Sequence, residues 1–290
     1  MSILIDRRNR IVVQGITGNE GSYWTEQMIA MGGNVVAGVT PGKEGQVCCG
    51  VPVYHSVRNA VREHPADSSM IFVPPRFAAD AVLEALDAGV KLVVTIADGI
   101  PLHEMARIRK TALAEHATVI GGNTSGIISP GKAMMGCLPY WIERVYKPGR
   151  VGVMTRSGSL TNEVTAMVVA AGFGVSSLIG VGGDPIPGTR FAELLPAFEN
   201  DPATDAVVVI GELGGTMEEE VAQAIADKTF TKPLVAFLSG RMAPKGAKMG
   251  HAGAIITGGR GSVDDKTKAL EAVGAHVAMR PRDIGRLLHD

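Results

Sequence analysis

"RIVVQGITGNEGSYWTEQMIAMGGNVVAGV", Arg10 to Val39, decides how the first half of the chain folds. A short apolar run, "RIVVQ" (Arg10–Gln14), enters a glycine-rich turn, "GITGNEGS" (Gly15–Ser22). Then comes "SYWTEQMIAMG", with apolar positions three and four apart, and a second apolar run, "NVVAGV" (Asn34–Val39). Strand, turn, helix and strand in that order make a parallel pair with a helical crossover. Continuous apolar strands of this kind are buried on both faces, so helices must cover the sheet on each side.

The pattern continues outward. "SMIFV" (Ser69–Val73), "LVVTI" (Leu92–Ile96) and "TVIGG" (Thr118–Gly122) read as further strands, with "FAADAVLEALDAG" as a helix. A segment punctuated by prolines and glycines, "SPGKAMMGCLPYWIERVYKPG" (Ser129–Gly149), reads as a connector. The alternation then restarts. "RVGVMT" (Arg150–Thr155), "VSSLIG" (Val175–Gly180), "AVVVI" (Ala206–Ile210), "PLVAFL" (Pro233–Leu238) and "HVAMR" (His276–Arg280) are strands, with "LTNEVTAMVVAAG" and "MEEEVAQAIAD" as helices between them. The expectation is two doubly wound α/β domains with a boundary near residues 140–149.

Composition narrows the functional classes. With 46% hydrophobic and 20% charged residues in 290, the chain is globular rather than disordered. A formal net charge of −1 gives no broad basic surface for nucleic acid or acidic lipid. No stretch approaches the roughly 20 apolar residues of a membrane helix, and the N-terminus shows no secretory signal pattern. A cytoplasmic location is expected. Cys48, Cys49 and Cys137 form neither a disulfide framework nor a metal set.

The glycine-rich turn at Gly15–Ser22 aims backbone N–H groups and a helix start at an anion, although a tight turn needs no ligand. Its spacing is G-x-x-G-x-x-G, not the dinucleotide pattern G-x-G-x-x-G. Where a nicotinamide site places an acid after the second strand, this chain reads "VTPGKEG" (Val39–Gly45) with Lys43. A lysine there suits phosphate, which favours coenzyme A over NAD, the alternative being a solvated surface lysine. "VMTRSGSLTNE" (Val153–Glu163) repeats strand, small-residue turn and helix start, so Ser157, Gly158 and Ser159 form either a phosphate cradle or a plain serine N-cap. "VVVIGELGG" (Val207–Gly215) carries Glu212 just past a strand end, where it either caps the next helix or faces a cation.

His251 is that cation's candidate. It stands in "APKGAKMGHAGAIITGG", near Lys245 and Lys248, with Gly246, Gly250 and Gly253 around it. Such a histidine is either a surface turn residue or a nucleophile whose other nitrogen needs an acceptor, which Glu212 would supply. No second histidine or cysteine lies at ligand spacing, so metal binding is not expected.

With these residues in view, nearly the whole chain resembles the α subunit of succinyl-CoA synthetase, within the ADP- or GDP-forming acid–CoA ligases. "QGITGNEGS", "AGVTPGK", "FVPPRFAADAVLEALDAGVKLVV", "RSGSLTNE", "GVGGDPIPG", "GELGG" and "APKGAKMGHAGAII" carry the resemblance. It implies a Rossmann-like coenzyme A-binding domain over 1–145 and a flavodoxin-like domain over 146–290 that carries a phosphohistidine. By matching position, His251 would be the phosphorylated residue, Glu212 its partner, and Ser157, Gly158 and Ser159 the phosphate-holding helix start. Thr17, Gly18, Asn19, Gly21, Val39, Pro41, Lys43, Val73, Pro74 and Ile96 would contact coenzyme A. The resemblance also implies a β subunit, in αβ or α2β2 assembly, that binds ATP or GTP with Mg2+. Succinate is the leading acid, which would place the enzyme in the tricarboxylic acid cycle, with malate or citrate as alternatives.

Three stretches depart from the succinate pattern: "GGNTSG" (Gly121–Gly126), "IADGIP" (Ile96–Pro101) and the bulky connector "CLPYWIERVYKPG". They bear on the acid rather than on His251 or Glu212. Two other classes compete: a nicotinamide-dependent dehydrogenase, disfavoured by the missing acid after strand two, and a non-catalytic coenzyme A-binding regulatory module.

Overall fold

The computed structural model describes residues 3–243, 250–255 and 261–289. They fall into two compact units, and both are α/β. The first is Leu4–Leu138 with Ile186–Thr189; the second is built mainly from Pro139–Pro185 and Arg190–Asp290.

In the first unit the chain runs β1 (Arg10–Gln14), α1 (Asn19–Ala30), β2 (Asn34–Val39), β3 (Val47–Cys48), β4 (Val51–Tyr54), α2 (Val57–Glu63), β5 (Ser68–Ile71), α3 (Pro75–Asp87), β6 (Leu92–Thr95), α4 (Leu102–Ala114) and β7 (Thr118–Ile120). The sheet order is β3-β4-β2-β1-β5-β6-β7, parallel except for the β3–β4 pair. Ile11, Val12 and Val13 of β1 are wholly buried, as the unbroken apolar run requires of a central strand. Helix α3 presents Ala78, Ala81, Val82 and Ala85 to the core at helical spacing. From β1 the connections go to β2 on one side and later to β5 on the other. The loops after β1 and β5 therefore diverge and open a crevice at the strands' carboxyl ends.

The segment expected to be a plain connector begins with a hairpin instead. β8 (Gly126–Ser129) and β9 (Ala133–Gly136) pair antiparallel. Pro130 and Gly131 turn the chain between them: Gly131 has φ 73°, and the Lys132 N–H donates to the Ser129 carbonyl at 2.9 Å.

The second unit runs β10 (Pro148–Thr155), α5 (Gly158–Ala170), β11 (Val175–Gly180), α6 (Phe191–Asn200), β12 (Ala206–Glu212), α7 (Met217–Ala226), β13 (Leu234–Ser239), α8 (Val263–Ala272) and β14 (His276–Ala278). Its five strands are parallel, in the order β14-β13-β12-β10-β11. Val207 to Ile210 of β12 are fully buried, and Phe191 and Phe198 of α6 are wholly buried as well. Here the crevice opens between the ends of β10 and β12, which point Arg156 and Glu212 into one region. Among the described residues, no helix is long and apolar enough to cross a membrane.

Candidate active site

Glu212 ends β12 and Ser157 caps α5, so both stand at the carboxyl edge of the second unit's sheet. Glu212 is nearly buried and its Oε2 lies 2.8 Å from Nδ1 of His251. It does not cap the following helix, whose N-cap is Thr216. The imidazole is half-buried and lies against the backbone of Gly183, where an added Cβ would come within 2.3 Å of the ring's Cγ. The Gly253 N–H donates to the Gly183 carbonyl at 3.0 Å and the Ala254 N–H to the His251 carbonyl at 3.1 Å, which ties the described part of the loop in place. Lys245, Gly246 and Lys248 lie outside the described residues.

The Glu212 hydrogen bond raises the ring's proton affinity above that of a free imidazole, partly opposed by burial. The Glu212 charge adds to the rise, Arg156 lowers it, and Asp184 raises it. With Nδ1 committed to Glu212, Nε2 is the nitrogen left to react.

At the head of α5 the Ser157 hydroxyl accepts the Leu160 N–H at 3.3 Å and lies 3.4 Å from the Ser159 hydroxyl. The N-cap reading of Ser157 therefore holds, and it is compatible with a phosphate cradle at the same helix start. Sequence reasoning missed the charges behind this site. Arg156 pairs with Glu212 at 3.2 Å and with Glu218 at 3.6 Å, and all three are buried. Lys266, fully buried, binds Glu218 and lies 2.9 Å from Glu219. In sequence these residues look like solvated helix faces. The available signal was an arginine directly after a buried strand, in a turn too small to screen it.

In the first unit α1 starts at Asn19, and its N-cap, Gly18, provides no side-chain cap. Its first N–H groups thus point out of the turn with no side chain to receive them. Gly21 lies so close to the turn that a Cβ there would sit 2.1 Å from the Gly15 carbonyl oxygen. The Thr17 hydroxyl donates to that of Thr40 at 3.1 Å, joining the turns after β1 and β2. A cavity of about 440 Å³ opens beside them, lined by Gln14, Gly15, Val39, Pro41, Val73 and Phe77, with Asp80 and Glu84 from α3. Val39, Pro41 and Val73 were expected at such a site; Phe77 was not singled out. Lys43 is exposed in the turn after β2, Pro74 is the exposed N-cap of α3, and Ile96 follows β6. Burial pushes the Cys137 thiol up to about 12, so it remains protonated.

One crevice thus presents an uncapped helix start, a geometry suited to an anion, and the other a carboxylate-held imidazole, a geometry suited to histidine chemistry. The family described as "CoA binding domain" matches residues 6–99, and the family described as "CoA-ligase" matches residues 154–276. The chain is 69% identical over 290 residues to the ADP-forming sulfoacetate-CoA ligase subunit SqwL of Acholeplasma sp, covering 100% of this chain and 98% of that one. It is 67% identical to the corresponding subunit SauD of Bilophila wadsworthia (99% and 98% covered). Identity is 49% to the succinate–CoA ligase [ADP-forming] subunit alpha 2 of Archaeoglobus fulgidus (99% of each). Among solved structures, ATP citrate lyase of Methanosaeta concilii in complex with (3S)-citryl-CoA matches with a TM-score of 0.90 at 27% identity. That match covers 99% of this chain but spans only half of the lyase chain. The chain belongs to the ADP-forming acid–CoA ligases, as an α-type subunit.

Proposed function

We propose that this chain is the α subunit of an ADP-forming sulfoacetate–CoA ligase, with His251 as its phosphoryl carrier. The observation that carries the chemistry is the 2.8 Å bond between His251 Nδ1 and Glu212, which holds one ring nitrogen and leaves Nε2 as the nucleophile. Nε2 takes the terminal phosphoryl group of ATP, bound on a partner β subunit, and ADP leaves. The ring then carries a positive charge, which the facing Glu212 carboxylate stabilises. A carboxylate oxygen of the acid attacks phosphorus, the neutral ring departs, and an acyl phosphate forms. The thiol of coenzyme A attacks the acyl carbon, loses its proton, and phosphate leaves. Phosphorylation converts a poor leaving oxygen into a good one. The start of α5, with Ser157, Gly158 and Ser159, supplies N–H and hydroxyl donors to the phosphoryl group. Coenzyme A fits the first unit: the uncapped helix start and the exposed Lys43 suit its phosphates, and the cavity along Val39, Pro41 and Val73 suits its apolar length.

The acid departs from the succinate expected from the motifs. The relatives at 69% and 67% identity are both named for sulfoacetate, whereas the succinate relative stands at 49%. The test is to co-express the chain with its β subunit and supply ATP and coenzyme A. Thioester formation is then compared across sulfoacetate, succinate, malate and citrate. Sulfoacetate is expected to turn over best, with acid-labile, base-stable phosphate on the wild-type chain and none on His251→Asn. Turnover of succinate without sulfoacetate overturns the acid; an unlabelled His251 overturns the carrier.

A further inference from the structure

Arg156 follows directly on β10, and its side chain is only 2% exposed. Its Nη2 lies 3.2 Å from Glu212 Oε1, while Nη1 lies 3.6 Å from Glu218 Oε1 and donates to the Gly214 carbonyl at 3.0 Å. Glu218 Oε1 also accepts the Glu212 N–H at 3.2 Å, so α7 holds the end of β12 and the guanidinium together. Behind them Lys266 of α8 neutralises Glu218. Glu212 thus has a neighbour on each side: Oε2 is hydrogen-bonded to the imidazole, and Oε1 lies in ion-pair range of Arg156 without a hydrogen bond to it.

Such an arrangement is costly as mere scaffolding. A buried ion pair contributes little net stability compared with an apolar replacement, because desolvation offsets the attraction. What it provides is a carboxylate set between an arginine and the imidazole, its field on the ring partly offset by the arginine. Among the described residues, the charges facing the His251 ring are Glu212 from β12, Asp184 from the loop after β11 and Arg156 from the loop after β10. Glu218 of α7 and Lys266 of α8 stand one layer behind. The two acids favour a proton on the ring, and Arg156 is the cation that opposes them.

Building on the phosphoryl-carrier reading, we propose that Arg156 is a positioning residue for the His251 ring: anchored by Glu218 and Gly214, it sets the place of the Glu212 carboxylate that orients the imidazole with Nε2 open. A structural role alone predicts that removing either Arg156 or Glu218 loosens the site in the same way. The positioning role predicts opposite electrostatic effects, because one change deletes a positive charge and the other a negative one.

The experiment titrates histidine labelled with 13C at ε1 in the complex with the β subunit, with the His251 signal assigned by its loss in His251→Asn. Arg156→Gln is expected to raise the midpoint and Glu218→Gln to lower it, while Arg156→Lys stays near wild type. Glu218→Gln still leaves Lys266 a carboxylate partner in Glu219. The acid limb of phosphate uptake from ATP should move with each midpoint. If Arg156→Gln does not fold, Glu218→Gln decides by itself, and an unmoved or raised midpoint overturns the role. Shifts of the same sign in both variants also overturn it. Absence of phosphate on His251 in the wild-type complex sinks the carrier reading beneath it, whereas a labelled wild type with unmoved variants sinks Arg156 alone.

Discussion

At the scale of single residues, His251 is defined by what touches it. Its Nδ1 is held by Glu212 and its face rests on Gly183. Gly183→Ala would drive a methyl into the ring, so phosphate uptake should fall by roughly 100-fold while coenzyme A affinity, measured by calorimetry, stays put. Glu212→Gln should also slow uptake by roughly 100-fold, again without touching coenzyme A binding; equal loss of both would contradict separate sites. The pH dependence has a definite sign. The folded ring holds its proton more tightly than the unfolded one. Its contribution to stability is therefore complete below the unfolded imidazole value of about 6.5 and is lost as pH rises through the higher folded value. The melting-temperature gap between wild type and His251→Asn should be wider near pH 5.5 than near pH 8.5; the reverse order would exclude this assignment. Phosphate uptake, which needs the neutral ring, should run the other way and grow with pH.

Among the elements, the glycine-rich turn and α1 show how little backbone slack the first unit has. Gly21→Ala would push α1 off the Gly15 carbonyl, at a cost of about 1–3 kcal/mol in stability. It should weaken coenzyme A binding at least about 10-fold while leaving His251 phosphorylation intact, as read by denaturant melts and binding titrations. Most elements were legible because buried parallel strands are apolar end to end and end in glycine. The hairpin β8–β9 escaped because its Met134 and Met135 sit among prolines and glycines that suggest a linker. Yet Pro130–Gly131 between two apolar runs is itself a turn signal. The His251–Glu212 pairing was legible from chemistry alone. The Arg156–Glu218–Lys266 chain was not, because Glu218 stands in an acidic helix start, "MEEEV", that suits the dipole of an exposed helix equally well. Only Arg156, directly after a buried strand, left a mark on the sequence; Glu218 and Lys266 did not.

At the scale of the whole molecule, each unit places its candidate site where strand connections diverge to opposite sides of its own sheet. Because the two candidate sites are built by different units, the two binding tasks are expected to be altered independently. Lys43→Ala, on the exposed turn after β2, should raise the KM for coenzyme A several-fold and leave the rate of His251 phosphorylation at its wild-type value. The second neighbour of Glu212, Arg156, has a further consequence for timing. If His251 carries phosphate as proposed, Glu212 keeps Arg156 as its ion-pair neighbour when the imidazole lets go. On the phosphoryl-carrier proposal, the charge of that seat would stay balanced while it is vacant, ready for a histidine that has delivered its cargo.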